Sequence, residues 1–126
     1  LNYSSLSVIH YFDNKENKED KDEKEQEYDK RIKEIPLDKH QDTGVMTFIL
    51  CSDVSGLQIL DRKTNTYIPV ENHYDSDKCM FVISGRKMEH IFSWKQKIPA
   101  TWHYVKIPIE QERLSLLYFL EIQKDW

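Results

Sequence analysis

One block of charge constrains this chain more than any other feature. Between Asp13 and Glu34, 17 of 22 residues are Asp, Glu, Lys or Arg, ten acidic and seven basic. The block has no apolar periodicity before Ile32, so it offers no face to bury. Ordering a residue costs about 1–2 kcal/mol of backbone entropy, and a segment without apolar surface has little to set against that. Any core must come from the other 104 residues, which carry only 23 charged side chains and are rich in Ile, Leu, Tyr and Phe. That is one domain's worth of chain. We read the block as a low-complexity insertion at about 13–34 between two strands. It is either a solvated loop or a charged helix held by i,i+4 pairs, with a partner-binding loop as the functional alternative. Loop-closure cost rises slowly with length, so a β-fold can carry it.

The remaining composition excludes several classes. A net charge of −4 argues against a general nucleic-acid binder, which needs a basic surface. No apolar run reaches the roughly 18 residues of a membrane span, and no stretch reads as a signal peptide. Cys51 and Cys79 each sit in an apolar run. Two buried free thiols and a reducing, cytoplasmic compartment are expected. There is no Gly-rich phosphate loop, CxxC pair or GxSxG elbow, and Glu71, Asp75 and Asp77 lack EF-hand spacing.

Outside the block the pattern is that of strands. Candidates are 6–12, 45–51, 56–60, 67–70, 79–84, 90–93, 101–107 and 113–122, separated by turn signals at 53–56, 63–66, 72–77, 84–85 and Pro108. Segment 45–51 is apolar on both faces, as a strand covered on two sides would be. Short strands at such spacing, without a long helical period, predict an all-β sandwich or barrel.

Three pieces of this chain bear on chemistry. His40 and Asp42 are two apart, so in extended backbone they point to one side and can reach one metal ion. His103 lies within the apolar stretch 100–105. Two histidines and a carboxylate form the facial triad of non-haem Fe(II) sites, although a lone HxD is as readily a surface loop. Arg113 and Ser115 share a face at the start of the last strand, while Leu114, Leu116, Tyr118 and Leu120 take the other. A guanidinium and a hydroxyl on an inner face make a carboxylate anchor; on an edge strand they would be a polar patch. His10, His73 and His90 read as ordinary strand or surface histidines, and Trp94 and Trp102 as packing.

The order HxD, His, RxS resembles the isopenicillin N synthase-like family of Fe(II)/2-oxoglutarate-dependent oxygenases. His40-Gln-Asp-Thr-Gly-Val-Met-Thr47 is similar to that family's H-x-D-x-x-x-(I/L)-T segment, and Ser55-Gly-Leu-Gln-Ile59 to its G-L-Q-V strand. Phe81-Val-Ile-Ser-Gly85 resembles its V-x-N-x-G turn, and residues 99–105 and 112–119 its second-histidine and R-x-S-x-x-x-F segments. Ser7-Val-Ile-His-Tyr11 is similar to the strand whose tyrosine helps hold a carboxylate. Apart from the charged block, nearly the whole chain is covered.

The resemblance implies a double-stranded β-helix, or jelly roll, forming the core barrel of a longer protein. It implies His40, Asp42 and His103 as Fe(II) ligands, and Arg113, Ser115 and Tyr11 as binders of a carboxylate, that of 2-oxoglutarate in most relatives. The implied activity is oxidation of a C–H bond in a small molecule or peptide by O2. Two alternatives stay open: an oxidase that uses no 2-oxoglutarate, and a non-catalytic binding or scaffold domain. The chain departs from the family pattern at Tyr104, where Arg is usual, at Phe12, where Pro is frequent, and at Ser84, where Asn is common. None of these removes an implied ligand.

Overall fold

The structure is a computed structural model that describes residues 4–11, 39–50, 52–74, 78–91, 96–106 and 111–123. The charged insertion, Phe12, Cys51, Asp75, Asp77 and Trp94 lie outside the described residues. The elements in order are β1 (Ser5–Tyr11), β2 (Met46–Leu50), β3 (Leu57–Asp61), β4 (Thr66–Pro69), a 3-10 turn (Val70–His73), β5 (Met80–Ser84), helix α1 (Arg86–Ile91), β6 (His103–Val105) and β7 (Arg113–Leu120).

The strands form two antiparallel sheets, ordered β1-β7-β2-β5 and β4-β3-β6. An isolated bridge between His40 and His103 adds to the outer edge of the smaller sheet. Ile49 and Ile83 from the larger sheet meet Leu57 from the smaller one, with Ile59, Phe81, Val105 and Leu117 packed around them. This face-to-face arrangement is the all-β sandwich that the strand pattern predicts and the jelly roll that the resemblance implies. The β3–β4 hairpin turns where the sequence places a turn. Asp61 Oδ1 accepts the Lys63 amide at 2.9 Å, its Oδ2 accepts the Thr64 hydroxyl at 3.0 Å, and Asn65 takes a left-handed φ of 55°.

Three expectations are corrected. The strand expected at 90–93 is not there: residues 86–91 form a short helix, and 92–95 lie outside the described residues. Tertiary contacts override the local pattern. The amides of Gly85, Arg86 and Lys87 donate to the carbonyls of Val45, Asp42 and Gly44 at 2.9, 2.8 and 3.0 Å, and Met88 is buried below them. The second correction concerns β2, which is covered on one side only. Thr47 and Ile49 are buried, but Leu50 on the other face is 46% exposed. The third is Cys79, a free thiol that is half-buried rather than buried, because it precedes β5 instead of lying within it.

Candidate functional site

The predicted triad converges. His40 and His103 face each other through paired backbone hydrogen bonds, each N–H donating to the other's carbonyl at 3.0 Å. Their rings lie 4.3 Å apart between centroids, tilted by 54°. Asp42 follows His40 by two residues, and its Oδ1 stands 3.4 Å from His40 Nε2 and 3.7 Å from His103 Nε2. One ligand-capable atom from each of the three lies within 4.8 Å of the others. Two imidazoles and one carboxylate suit a divalent transition metal and leave further coordination positions open.

Two of the three ligand-capable groups are oriented by a second contact. His103 Nδ1 lies 3.0 Å from the Thr101 carbonyl, which can only accept, so the proton sits on Nδ1 and the Nε2 lone pair faces Asp42. Burial pushes the His103 pKa down; the Thr101 carbonyl and Asp42 oppose that shift, and His40 adds to it. The neutral, metal-binding form is thereby favoured. The buried Thr47 hydroxyl donates to Asp42 Oδ2, leaving Oδ1 for the histidines. Thr47 is legible in the sequence only as the end of the family's motif; its task is not.

A polar network holds the His103 segment. Ala100 donates its amide to Glu89 at 2.6 Å, and its carbonyl accepts Gln41 Nε2 at 3.0 Å and Arg62 Nη2 at 2.9 Å. Ser84 Oγ donates to the Pro99 carbonyl at 2.7 Å and accepts from the Thr101 hydroxyl at 2.9 Å. The serine at the family's asparagine position therefore still ties β5 to the second-histidine loop. Gln41 ties the first-histidine segment to the same loop.

Arg113 and Ser115 point inward, as their spacing predicts; they are 1% and 2% exposed. Tyr11 is the direct cross-strand partner of Arg113, whose guanidinium carbon lies 6.0 Å from the phenol ring centre. Burial raises the Tyr11 pKa, while the Arg113 charge and the nearby Ser115 hydroxyl pull it back. Among the described residues, Ser115 Oγ and Arg113 Nε are nonetheless buried without a hydrogen-bond partner of good geometry.

The residue that sequence reasoning missed is Glu71. The sequence offers it only as a calcium ligand beside two other acids, yet it is 7% exposed inside the fold. Its Oε1 accepts Arg113 Nη2 at 2.9 Å and the Ser52 amide at 3.3 Å, and its Oε2 accepts the amides of Gly56 at 2.7 Å and Leu57 at 2.9 Å. Gly56 is required by this packing, since a Cβ there would stand 2.6 Å from Arg113 Nε.

Comparison with known proteins gives the family. The model of the 2OG-Fe(II) oxygenase superfamily matches residues 3–122. The chain belongs to that superfamily. Gibberellin 3-beta-dioxygenase 1 of Oryza sativa subsp. japonica is 29% identical over 86 residues, 68% of this chain and 21% of that protein. The 2-oxoglutarate complex of the dioxygenase for auxin oxidation 1 from Arabidopsis thaliana matches with a TM-score of 0.57 and 23% identity, over 71% of this chain and 32% of that one; it supports the fold. JOX2 in complex with 2OG, Fe and JA matches with a TM-score of 0.52 and 28% identity, over 71% of this chain and 25% of that one. The chain thus spans well under half the length of these relatives.

Proposed function

We propose that this chain is the metal-binding core of an Fe(II)- and 2-oxoglutarate-dependent oxygenase that oxidises a C–H bond of a small molecule or peptide. The observation that carries the reading is the convergence of His40, Asp42 and His103, with one ligand-capable atom from each lying within 4.8 Å of the others. The donor set fits iron(II), and the buried Ser115 hydroxyl beside Arg113, which has no hydrogen-bond partner of good geometry among the described residues, fits a carboxylate. JOX2, which shares the fold, was solved with both iron and 2OG.

His40, Asp42 and His103 would hold the metal, and Arg113, Ser115 and Tyr11 the far carboxylate of 2-oxoglutarate. Bound there, iron(II) supplies activation of O2 coupled to oxidative decarboxylation of the 2-oxo acid. The chain's own part is orientation. Thr101 keeps the His103 proton on Nδ1, and Thr47 turns Asp42 toward the histidines. The protonated phenol of Tyr11 can donate to a carboxylate that Arg113 attracts. Buried Leu57 and partly buried Ile59 pack the interior side of the smaller sheet. Among the described residues no helix is long and apolar enough to cross a membrane. We place the chain in a reducing, cytoplasmic setting, the reading that two free thiols in apolar runs would carry.

The test is an anaerobic Fe(II) titration with and without 2-oxoglutarate, followed by the weak visible charge-transfer band of the chelate. A band that needs both components, and that Asp42→Ala abolishes while the far-ultraviolet spectrum stays native, is the expected result. Absence of the band with the native chain rejects the reading.

A further inference from the structure

Arg113 is not a free cation waiting for a ligand. Its side chain is fully buried, and its close charged contact among the described residues is Glu71 Oε1 at 2.9 Å. The other acceptor within reach among those residues, the Val54 carbonyl, is distant at 3.4 Å, and Nε has none. The two partners are unequally dependent on each other. Glu71 keeps three backbone N–H donors without Arg113, from Ser52, Gly56 and Leu57. Arg113, a permanent charge, has no comparable second support among the described residues. An incoming diacid therefore meets a neutralised pair rather than an open guanidinium. Beside that pair stands the Ser115 hydroxyl, on the same face of β7, buried near the Tyr11 phenol and without a hydrogen-bond partner of good geometry among the described residues.

We propose that Glu71 is an internal counter-carboxylate that shares Arg113 with the far carboxylate of the co-substrate and so determines how strongly the site prefers a diacid. This rests on the reading of the site given above. Glu71 acts through Arg113 and is a specificity-determining residue, not a catalytic one. Its place in the chain supports the role. The 3-10 turn that carries it is braced against the loop before β3, so the carboxylate cannot swing away as a surface side chain could.

The test compares 2-oxoglutarate with pyruvate, which offers the same 2-oxo acid end but no far carboxylate. Affinities are read from the anaerobic Fe(II) charge-transfer band, not from turnover. With the native chain, 2-oxoglutarate should bind less than about tenfold tighter than pyruvate, since one charge-assisted bond to an unshared guanidinium would by itself contribute tenfold or more. Glu71→Gln should tighten 2-oxoglutarate by about tenfold and leave pyruvate unchanged. A native preference of roughly a hundredfold or more overturns the proposal, and that measurement needs no variant to fold. Unchanged or weakened 2-oxoglutarate binding in a folded Glu71→Gln chain also overturns it. If the native chain gives the band with 2-oxoglutarate and either of these results follows, only the role of Glu71 fails. If no band forms at all, the oxygenase reading fails and takes this inference with it.

Discussion

Asp42 has two oxygens with different tasks, one held by Thr47 and one turned to the histidines. Removing the Thr47 hydroxyl while keeping its shape should therefore loosen the metal site without emptying it. We expect Thr47→Val to weaken Fe(II) binding by about 10–100-fold, the usual effect of losing a group that orients a ligand; competition with a chelator of known affinity measures it. His103 makes a second, pH-dependent statement. Its folded-state pKa lies below the ordinary value because burial penalises the cation. The unfolded chain thus takes up the proton first as pH falls. Stability of the metal-free chain is fully present above about pH 6.5, where unfolded histidine is neutral. It declines as pH drops from there toward the lower folded-state value. Denaturant midpoints measured from about pH 8 to 5 should show this decline, and His103→Gln should flatten it.

At the scale of elements, the site depends on the crossing of three backbone segments. Gly85 follows β5 at a point where a Cβ would stand 2.2 Å from the Gly44 carbonyl oxygen and 3.2 Å from that of Asp42. Both contacts are with backbone, which cannot rotate out of the way. We expect Gly85→Ala to cost about 1–3 kcal/mol or more, as overpacking does. It should also weaken metal binding, because the clash is relieved only by moving the Asp42–Gly44 turn; thermal melts with and without Fe(II) check both. Two-residue spacing made the pairs His40 with Asp42 and Arg113 with Ser115 legible in the sequence, while their implied roles, and that of His103, came from the family resemblance. Helix α1 was not legible. It is six residues long, and the amides that start it are satisfied by the segment that carries Asp42, Gly44 and Val45, far earlier in the chain. Glu71 was hidden for a related reason. Its turn has no period, and its burial follows from the amides of Ser52, Gly56 and Leu57, which the sequence does not align with it.

The whole molecule presents one sheet face differently from the other. The inner face of the larger sheet carries Thr47, Ile49, Ile83, Arg113 and Ser115, all buried. The outer face carries Leu6, Val8 and Leu114, which are 67%, 66% and 59% exposed, with Met80, Val82 and Leu50 beside them. An apolar surface of that extent favours association. We expect the chain to self-associate at micromolar concentration, and the double variant Val8→Lys, Leu114→Lys to be monomeric with an unchanged circular dichroism spectrum. Sedimentation velocity separates the two.

The pairing of β1 with β7 has a topological consequence. Ser5 lies opposite Phe119 and Tyr11 opposite Arg113, and the Ser4 hydroxyl both donates to the Glu121 carbonyl and accepts the Glu121 amide, at 3.3 and 3.1 Å. The two ends of the described chain are stitched together, so the fold is a closed ring in space although the chain is linear. A ring has no privileged starting point. A circular permutant joined by a short linker near Ser4 and Glu121, and opened within the charged block, should reach the same fold. β1 pairs with a strand about a hundred residues further along, so the closure that places Tyr11 beside Arg113 is expected among the later events of folding. The permutant makes β1 contiguous with β7, turning that distant pairing into a hairpin, and it should therefore fold faster than the parent chain.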